Sequence, residues 1–364
     1  MKSIVVNTRC LHEPLTGIQR YVQAILQRLG AELDPISPRR KPGGLRGMLW
    51  DQMVLPTKLG GRLLWSPSSS GPLTVSHQVV TFHDIIVLDH PEWFNPVSAL
   101  ASRFVIPRLA RRSASIITVS EYTRNRILAH MDIHPEKIVV IPEGVDPRFF
   151  PESAGEIERV INRYGIPTRS YLLSVSTLEP RKNLGTLLQT WSEVFQHLPD
   201  DIWLVLSGEK GNPRVFPRLD FDRIPPRVHW TGRVEDADLP GLYSGARAFV
   251  FLSLAEGFGL PPLEAMACGI PVLASNCTSI PEVVGDDALM VNPVDLSEIQ
   301  MGIVRVCGDE SLRQRLVSAG LGRARRYDWD SAAARTLQVL QDEAASLHRP
   351  AAGSLKSSKP SGPQ

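Results

Sequence analysis

Residues 256–271 read EGFGLPPLEAMACGIP. They follow the apolar run 248–252 (AFVFL), which has the length and composition of a buried strand. The chain then turns at Gly257 and Gly259, because glycine takes backbone shapes that other residues avoid. Pro261 and Pro262 suit the first turn of a helix, where a missing N–H costs no hydrogen bond. Strand, tight loop and helix make one βα unit, and the unpaired N–H groups of the helix face the loop and attract anions. A diphosphate resting there would leave Glu264 to accept hydrogen bonds from a vicinal diol such as a ribose, with Glu256 at the opposite end of the same ligand. Without such a ligand, Glu264 complements the helix dipole and Glu256 is a solvated loop residue.

Outward from this unit the same alternation recurs. Strands are expected at residues 4–7, 79–82, 115–119, 171–175, 202–207, 228–231, 248–252 and 271–274. Helices are expected at 17–30, 97–112 and 184–197, from Pro261 onward, and at 331–347, with a loop and a short helix near 45–54. Alternating strands and helices imply parallel sheets, and two such series joined by residues 147–168 imply an α/β protein of two doubly wound, Rossmann-like domains. Ligands of such sheets lie beyond the carboxyl ends of the strands, so the cleft between the domains is the expected site. The expected division is 1–160, 161–330, a helix at 331–347 crossing back to the first domain, with a hinge near Asp328, and a disordered Pro, Ser, Gly and Lys rich tail at 348–364.

At 364 residues the chain exceeds one ordinary core. Hydrophobic residues make up 43% and charged residues 21%, the balance of a soluble globular protein. Forty Lys and Arg against 38 Asp and Glu leave a net charge of +2 without a dense basic stripe, which argues against a nucleic-acid partner. Cys10, Cys268, Cys277 and Cys307 form no C-x-x-C pair, so neither a disulfide scaffold nor a zinc ribbon is expected. The amino-terminal apolar run is too short for a secretory signal and no run of 18 apolar residues occurs, so the expected location is the cytoplasm. No G-x-G-x-x-G and no G-x-x-x-x-G-K-[ST] occurs, which disfavours hydride transfer and P-loop ATP hydrolysis.

The sequence resembles the retaining glycosyltransferases of family 4, over roughly residues 1–345. Glu256 and Glu264 fit that family's E-x7-E signature, and PEGVD (142–146), STLEPRKN (176–183) and HWTGRV (229–234) follow in its order. TGIQRYV, TFHDIIVLDHPEWF and STLEPRKNL look like the branch that builds bacterial surface polysaccharides such as O-antigen, often from GDP-mannose. The resemblance implies the GT-B fold, two Rossmann-like domains facing a central cleft. It casts Glu256, His83 and Lys182 as catalytic residues: Lys182 neutralises the donor diphosphate and His83 contacts the transferred sugar. Donor binding falls to Gly17, Arg181, Lys182, Gly208, Arg233, Val234, Gly257, Phe258, Gly259, Leu260 and Glu264. Ser176 stands where many members carry an arginine, and Arg181 is expected to supply that charge. Glu143 stands where the family commonly has asparagine and receives no chemical role here.

The implied reaction moves a hexose, mannose from GDP-mannose, onto a glycan acceptor, a polyprenyl-diphosphate-linked one included. Configuration is retained by front-face substitution, in which the leaving phosphate helps deprotonate the acceptor. A covalent intermediate on Glu256 is the alternative. The resemblance implies no cofactor and no metal, and the sequence agrees, since Asp236-Ala237-Asp238 reads as a helix start rather than a metal loop. The rival readings are a UDP- or dTDP-sugar donor and a non-catalytic sugar-nucleotide-binding subunit of a glycan-assembly complex. Phosphorylase or epimerase chemistry would need acid, base or phosphate-cofactor residues that are not found. Residues 102–112 set Arg103, Arg108, Arg111 and Arg112 among Phe104, Val105, Ile106 and Leu109, a pattern for peripheral contact with the inner face of the cell membrane or for packing on the sheet.

Overall fold

A computed structural model describes residues 2–13, 16–41, 44–208 and 224–347. The tail expected at 348–364 lies outside the described residues. Among the described residues twelve strands form two parallel sheets of six. The first comprises β1 (Ile4–Asn7), β2 (Leu33–Ile36), β3 (Leu63–Ser66), β4 (Gln78–Phe82), β5 (Ser115–Thr118) and β6 (Ile138–Val140), in the order β2-β1-β3-β4-β5-β6. The second comprises β7 (Ser170–Val175), β8 (Ile202–Ser207), β9 (Val228–Gly232), β10 (Ala248–Phe251), β11 (Val272–Ser275) and β12 (Leu289–Val291), in the order β12-β11-β10-β7-β8-β9. The helices are α1 (Gly17–Leu29), α2 (Gly44–Leu49), α3 (Ile86–Asp89), α4 (Pro96–Arg112), α5 (Glu121–His130), α6 (Ala154–Arg163), α7 (Leu184–Val194), α8 (Leu239–Ser244), α9 (Leu260–Ala267), α10 (Ile280–Val284), α11 (Leu296–Gly308), α12 (Glu310–Ala324) and α13 (Trp329–Ser346).

Each sheet buries both faces, as parallel sheets must, and successive strand residues serve opposite layers. Tyr171 and Leu173 of β7 pack toward α6, α8 and α9, while Leu172 packs toward α7 and α11. In the first sheet Ile4, Val6 and Trp65 share a core with Tyr21, Val22 and Ile25 of α1, and Val80 and Phe82 pack with Ile106 and Leu109 of α4. Trp329, Ala332, Ala333, Leu340 and Ala344 of α13 join the α1 layer, so the last helix packs on the first sheet. The two segments that pass between the sheets lie side by side. The Val145 N–H donates to the Tyr327 carbonyl at 2.9 Å, and Val145 bridges Asp328.

Several elements correct the reading of the sequence. Segment 147–168 is not only a connection, because it contains α6, which spans residue 160 and buries Val160 and Ile161 with the second sheet. The signal was present: the Ser153 hydroxyl caps the Glu156 N–H, the S-x-x-E pattern of a helix start. β2 reads LDPI, and Pro35 is tolerated because β2 is an edge strand. β3, β6 and α5 are likewise additional to the expected elements. Among the described residues no helix is long and apolar enough to cross a membrane.

Candidate active site

In the second sheet the order of connection reverses between β7 and β10, and ligands of open parallel sheets bind at such a switch point. The chain leaving β7 carries Arg181 and Lys182, and the chain leaving β10 carries Glu256. The three side chains meet. Lys182 Nζ lies 2.5 Å from Glu256 Oε1, Arg181 Nη1 lies 2.7 Å from Oε2, and the Ser253 hydroxyl donates to Oε1 at 2.6 Å. Further bonds hold the strand ends in place: Leu254 N–H donates to Arg181 O at 2.7 Å, and the single Ser279 hydroxyl hydrogen lies between the Glu256 and Phe258 carbonyls, 2.9 and 2.7 Å from the hydroxyl oxygen.

Burial by itself would raise the Glu256 pKa, but the adjacent Lys182 and Arg181 charges and the hydrogen bonds from Lys182 and Ser253 pull it down to about 2. On Lys182, burial and the neighbouring Arg181 charge outweigh the attraction of Glu256 and lower its pKa. The result is a buried carboxylate with both oxygens engaged by cations. Such a group is a weak base and suits orienting hydroxyls better than attacking carbon.

His83 follows β4 directly, on the facing sheet, and is 7% exposed. Its Nδ1 lies 3.0 Å from Glu143 Oε1, and its Nε2–H donates to the Pro67 carbonyl at 2.9 Å. Glu143, left without a role by the sequence, is therefore the buried partner of His83. The missed signal was its replacement of the usual asparagine. Both ring nitrogens of His83 face protein groups in this conformation, whereas the resemblance implies sugar contact. The His83 backbone faces the second domain. A Cβ built on Gly257 would stand 1.9 Å from His83 O, so only glycine permits this approach. The Gly257 carbonyl accepts from Ser120 Oγ at 2.6 Å and Thr123 Oγ1 at 3.3 Å, which fastens the E-x7-E loop to the first domain.

Glu264 lies in α9, whose N-cap Gly259 has a φ of 123°. It is 6% exposed, accepts from the Tyr243 hydroxyl at 2.9 Å, and meets Arg20 of α1 at 3.2 Å. Arg20 also pairs with Asp236 at 2.7 Å. Burial raises the Glu264 pKa against the pull of Arg20. Arg20 is the second residue that sequence reasoning missed, since its partner is 244 positions away. Gly208, with φ 142°, lets the ends of β7 and β8 close up, because a Cβ there would stand 2.0 Å from Ser176 O. Gly17 opens α1 behind Thr16, whose N–H is capped by the Gln19 carboxamide at 2.9 Å. Arg233 is exposed after β9.

Val234 and Phe258 are buried in the core at 5% exposure, and Leu260 lies partly buried at the start of α9. Asp236 and Asp238 do not converge: Asp238 pairs with Arg159 and Arg163 at 2.5 and 2.7 Å while Asp236 holds Arg20. Among the described residues no group of three His, Cys, Asp or Glu is placed to hold a metal ion.

Comparison with known proteins agrees with this architecture. Residues 156–323 match the family model described as "Glycosyl transferases group 1", and residues 65–149 match "Glycosyltransferase Family 4". The O-antigen chain mannosyltransferase B of Escherichia coli is 33% identical over 272 residues, covering 74% of this chain and 71% of that protein. The serotype-specific mannosyltransferase WbdA of Escherichia coli is 32% identical over 63% of this chain, which spans only 29% of WbdA. Among solved structures, a sucrose-phosphate synthase from Thermosynechococcus elongatus superposes with a TM-score of 0.76 at 19% identity, over 95% of this chain and 100% of that one. At that identity the likeness carries the fold alone.

Proposed function

Because this chain belongs to the glycosyltransferases of the group 1 and family 4 models and has their GT-B fold, we propose that it transfers mannose from GDP-mannose to a glycan acceptor in bacterial surface polysaccharide synthesis, with retention of configuration. The enzyme class, and with it a nucleotide-sugar donor and a glycan acceptor, follows from the family. The mannosyl reading is supported by the relatives, which are mannosyltransferases of Escherichia coli. The observation that carries the chemistry is the meeting of Lys182, Arg181 and Glu256 at the switch point of the second sheet.

In this reaction the bond from the anomeric carbon to the diphosphate oxygen breaks and a bond to the acceptor oxygen forms. The acceptor proton passes to the departing phosphate. Negative charge grows on that phosphate, and Lys182, Arg181 and the amino end of α9 are the groups able to offset it. Glu256, held ionised, orients sugar hydroxyls, and Glu264 serves the ribose. No metal has a part in this proposal. GDP-mannose is expected to raise the melting temperature in the presence of EDTA and to be slowly hydrolysed, since a ligand of the folded state stabilises it. A response to UDP- or dTDP-sugars alone would replace the donor. Silence with every nucleotide would favour the non-catalytic reading.

Peripheral membrane contact belongs to the same proposal, on a surface shifted from the expected one. Ile106 and Leu109 are buried in the core, while Val97, Leu100 and Phe104 of α4 are 78%, 59% and 53% exposed and share one face with spacings of three and four. Arg103, Arg108, Arg111 and Arg112 are exposed on the same helix, which has no acidic residue. This composition suits an anionic lipid surface. The chain is expected to sediment with phosphatidylglycerol vesicles and not with phosphatidylcholine vesicles, and a Phe104→Ser/Arg108→Ser variant to lose that binding. Equal binding by the variant would sink the proposal.

A further inference from the structure

His83 and Glu143 form a buried ionisable pair that nothing in the reaction above uses. The two residues are 7% and 5% exposed, so water cannot replace a missing hydrogen bond to either. The Pro67 carbonyl can only accept, hence Nε2 carries a hydrogen. That leaves Nδ1 facing the Glu143 carboxyl at 3.0 Å. If the ring were neutral and Glu143 ionised, a nitrogen lone pair would face carboxylate lone pairs in a dry site. The arrangement needs one more proton, on the ring or on the carboxyl.

We propose that Glu143 is a positioning residue that keeps His83 as an imidazolium in one ring orientation, so that the glycosyl transfer takes place beside a fixed cation at the carboxyl end of β4. This deepens the glycosyltransferase reading and rests on it for its catalytic consequence. With both N–H groups bound to protein acceptors, the ring neither delivers nor collects a proton. It acts by charge and by fixing the loop whose backbone meets Gly257.

The surrounding groups favour the proton on the ring. Glu143 faces His83 from the segment after β6, and Asp84 follows it in the same loop. Tyr21 of α1 packs edge-on with ring centroids 4.7 Å apart and an interplanar angle of 86°, and burial pushes its hydroxyl up to about 12, so it stays neutral. From the second domain Arg181 and Glu256 act on Asp84, with opposite signs. For His83 itself burial lowers the pKa, but the Glu143 hydrogen bond and charge, the Pro67 carbonyl and Asp84 together raise it. The sign for activity follows. The cation is present below the raised pKa and is lost as pH rises through it, so it should set an alkaline limit.

The test is nitrogen NMR of the full chain labelled in histidine, without donor, with His83→Asn assigning one of the nine histidines. His83 is expected to keep imidazolium shifts at pH values where a free imidazole has already lost its proton. Glu143→Gln, which keeps a hydrogen-bond acceptor and removes the charge, should weaken its proton affinity about tenfold or more, and Glu143→Asp should restore most of it. The alkaline limb of kcat/KM should move down with Glu143→Gln and back with Glu143→Asp. A neutral His83 at pH 7 in the unaltered chain overturns the proposal, as does the same titration in Glu143→Gln. Should Glu143→Gln not fold, the titration of the unaltered chain decides. The spectra need no substrate, so a mistaken donor would leave this result standing.

Discussion

Lys182→Ala is expected to lower kcat by about a hundred- to a thousand-fold, the usual loss when one group that meets developing charge is removed from a preorganised site. The Lys182 side chain is 10% exposed, lies 2.5 Å from Glu256, and follows the strand at the switch point of the second sheet. Its charge is held in place before the diphosphate departs, so no reorganisation is needed as charge builds up. The substitution also removes one cation from a buried carboxylate. Breaking such a pair outright destabilises by about 3–5 kcal/mol, but Arg181 at 2.7 Å still neutralises Glu256, so a smaller loss is expected. The double variant Lys182→Ala/Glu256→Gln separates the two effects. It should recover melting temperature and not activity. Lys182→Ala retaining kcat within a few-fold, while folded and saturated with donor, would remove Lys182 from the catalytic machinery.

Gly257→Ala should be nearly as damaging, for a reason of space rather than charge. The added methyl would stand 1.9 Å from His83 O and 2.9 Å from Asp84 Cβ, both on the other domain. The first neighbour is backbone and cannot turn aside, so the loop must move or the domains must part. Either movement breaks the bonds from Ser120 and Thr123 to the Gly257 carbonyl and displaces Glu256, the preceding residue. A misplacement of about 1 Å at a reacting centre can cost on the order of a hundred-fold in rate. We expect kcat to fall by about that factor, with little change in melting temperature, because each domain keeps its own core. Small-angle scattering should show a larger radius of gyration. Gly155→Ala, where a Cβ meets nothing within 4 Å, is the control. Wild-type turnover and scattering from Gly257→Ala would show that the closed contact is not needed.

The parts of the fold that were legible in the sequence are those written in local patterns. Strands β1, β4, β5, β7, β8 and β10 are short β-branched or apolar runs, and α1 and α7 repeat apolar residues at helical spacing. The turn at Gly257 and Gly259 and the prolines after it marked α9. The elements that escaped were those whose pattern is weak or ambiguous. β2 contains aspartate and proline, β6 has three residues, and α5 buries only Thr123 and Ile127.

By itself, then, the sequence determined the two βα series and the glycine turn before α9, because these depend on backbone rules that act within about ten residues, and its motifs carried the resemblance to the family. Only the tertiary structure decided which charges meet. Glu143 reads as an ordinary loop acid until β4 and β6 bring it to His83, 60 positions earlier. Arg20 reads as a solvated helix residue until the domains face each other and it reaches Glu264. A charge shows its partner only when burial removes water as the alternative, and burial is a property of the closed molecule, not of any segment.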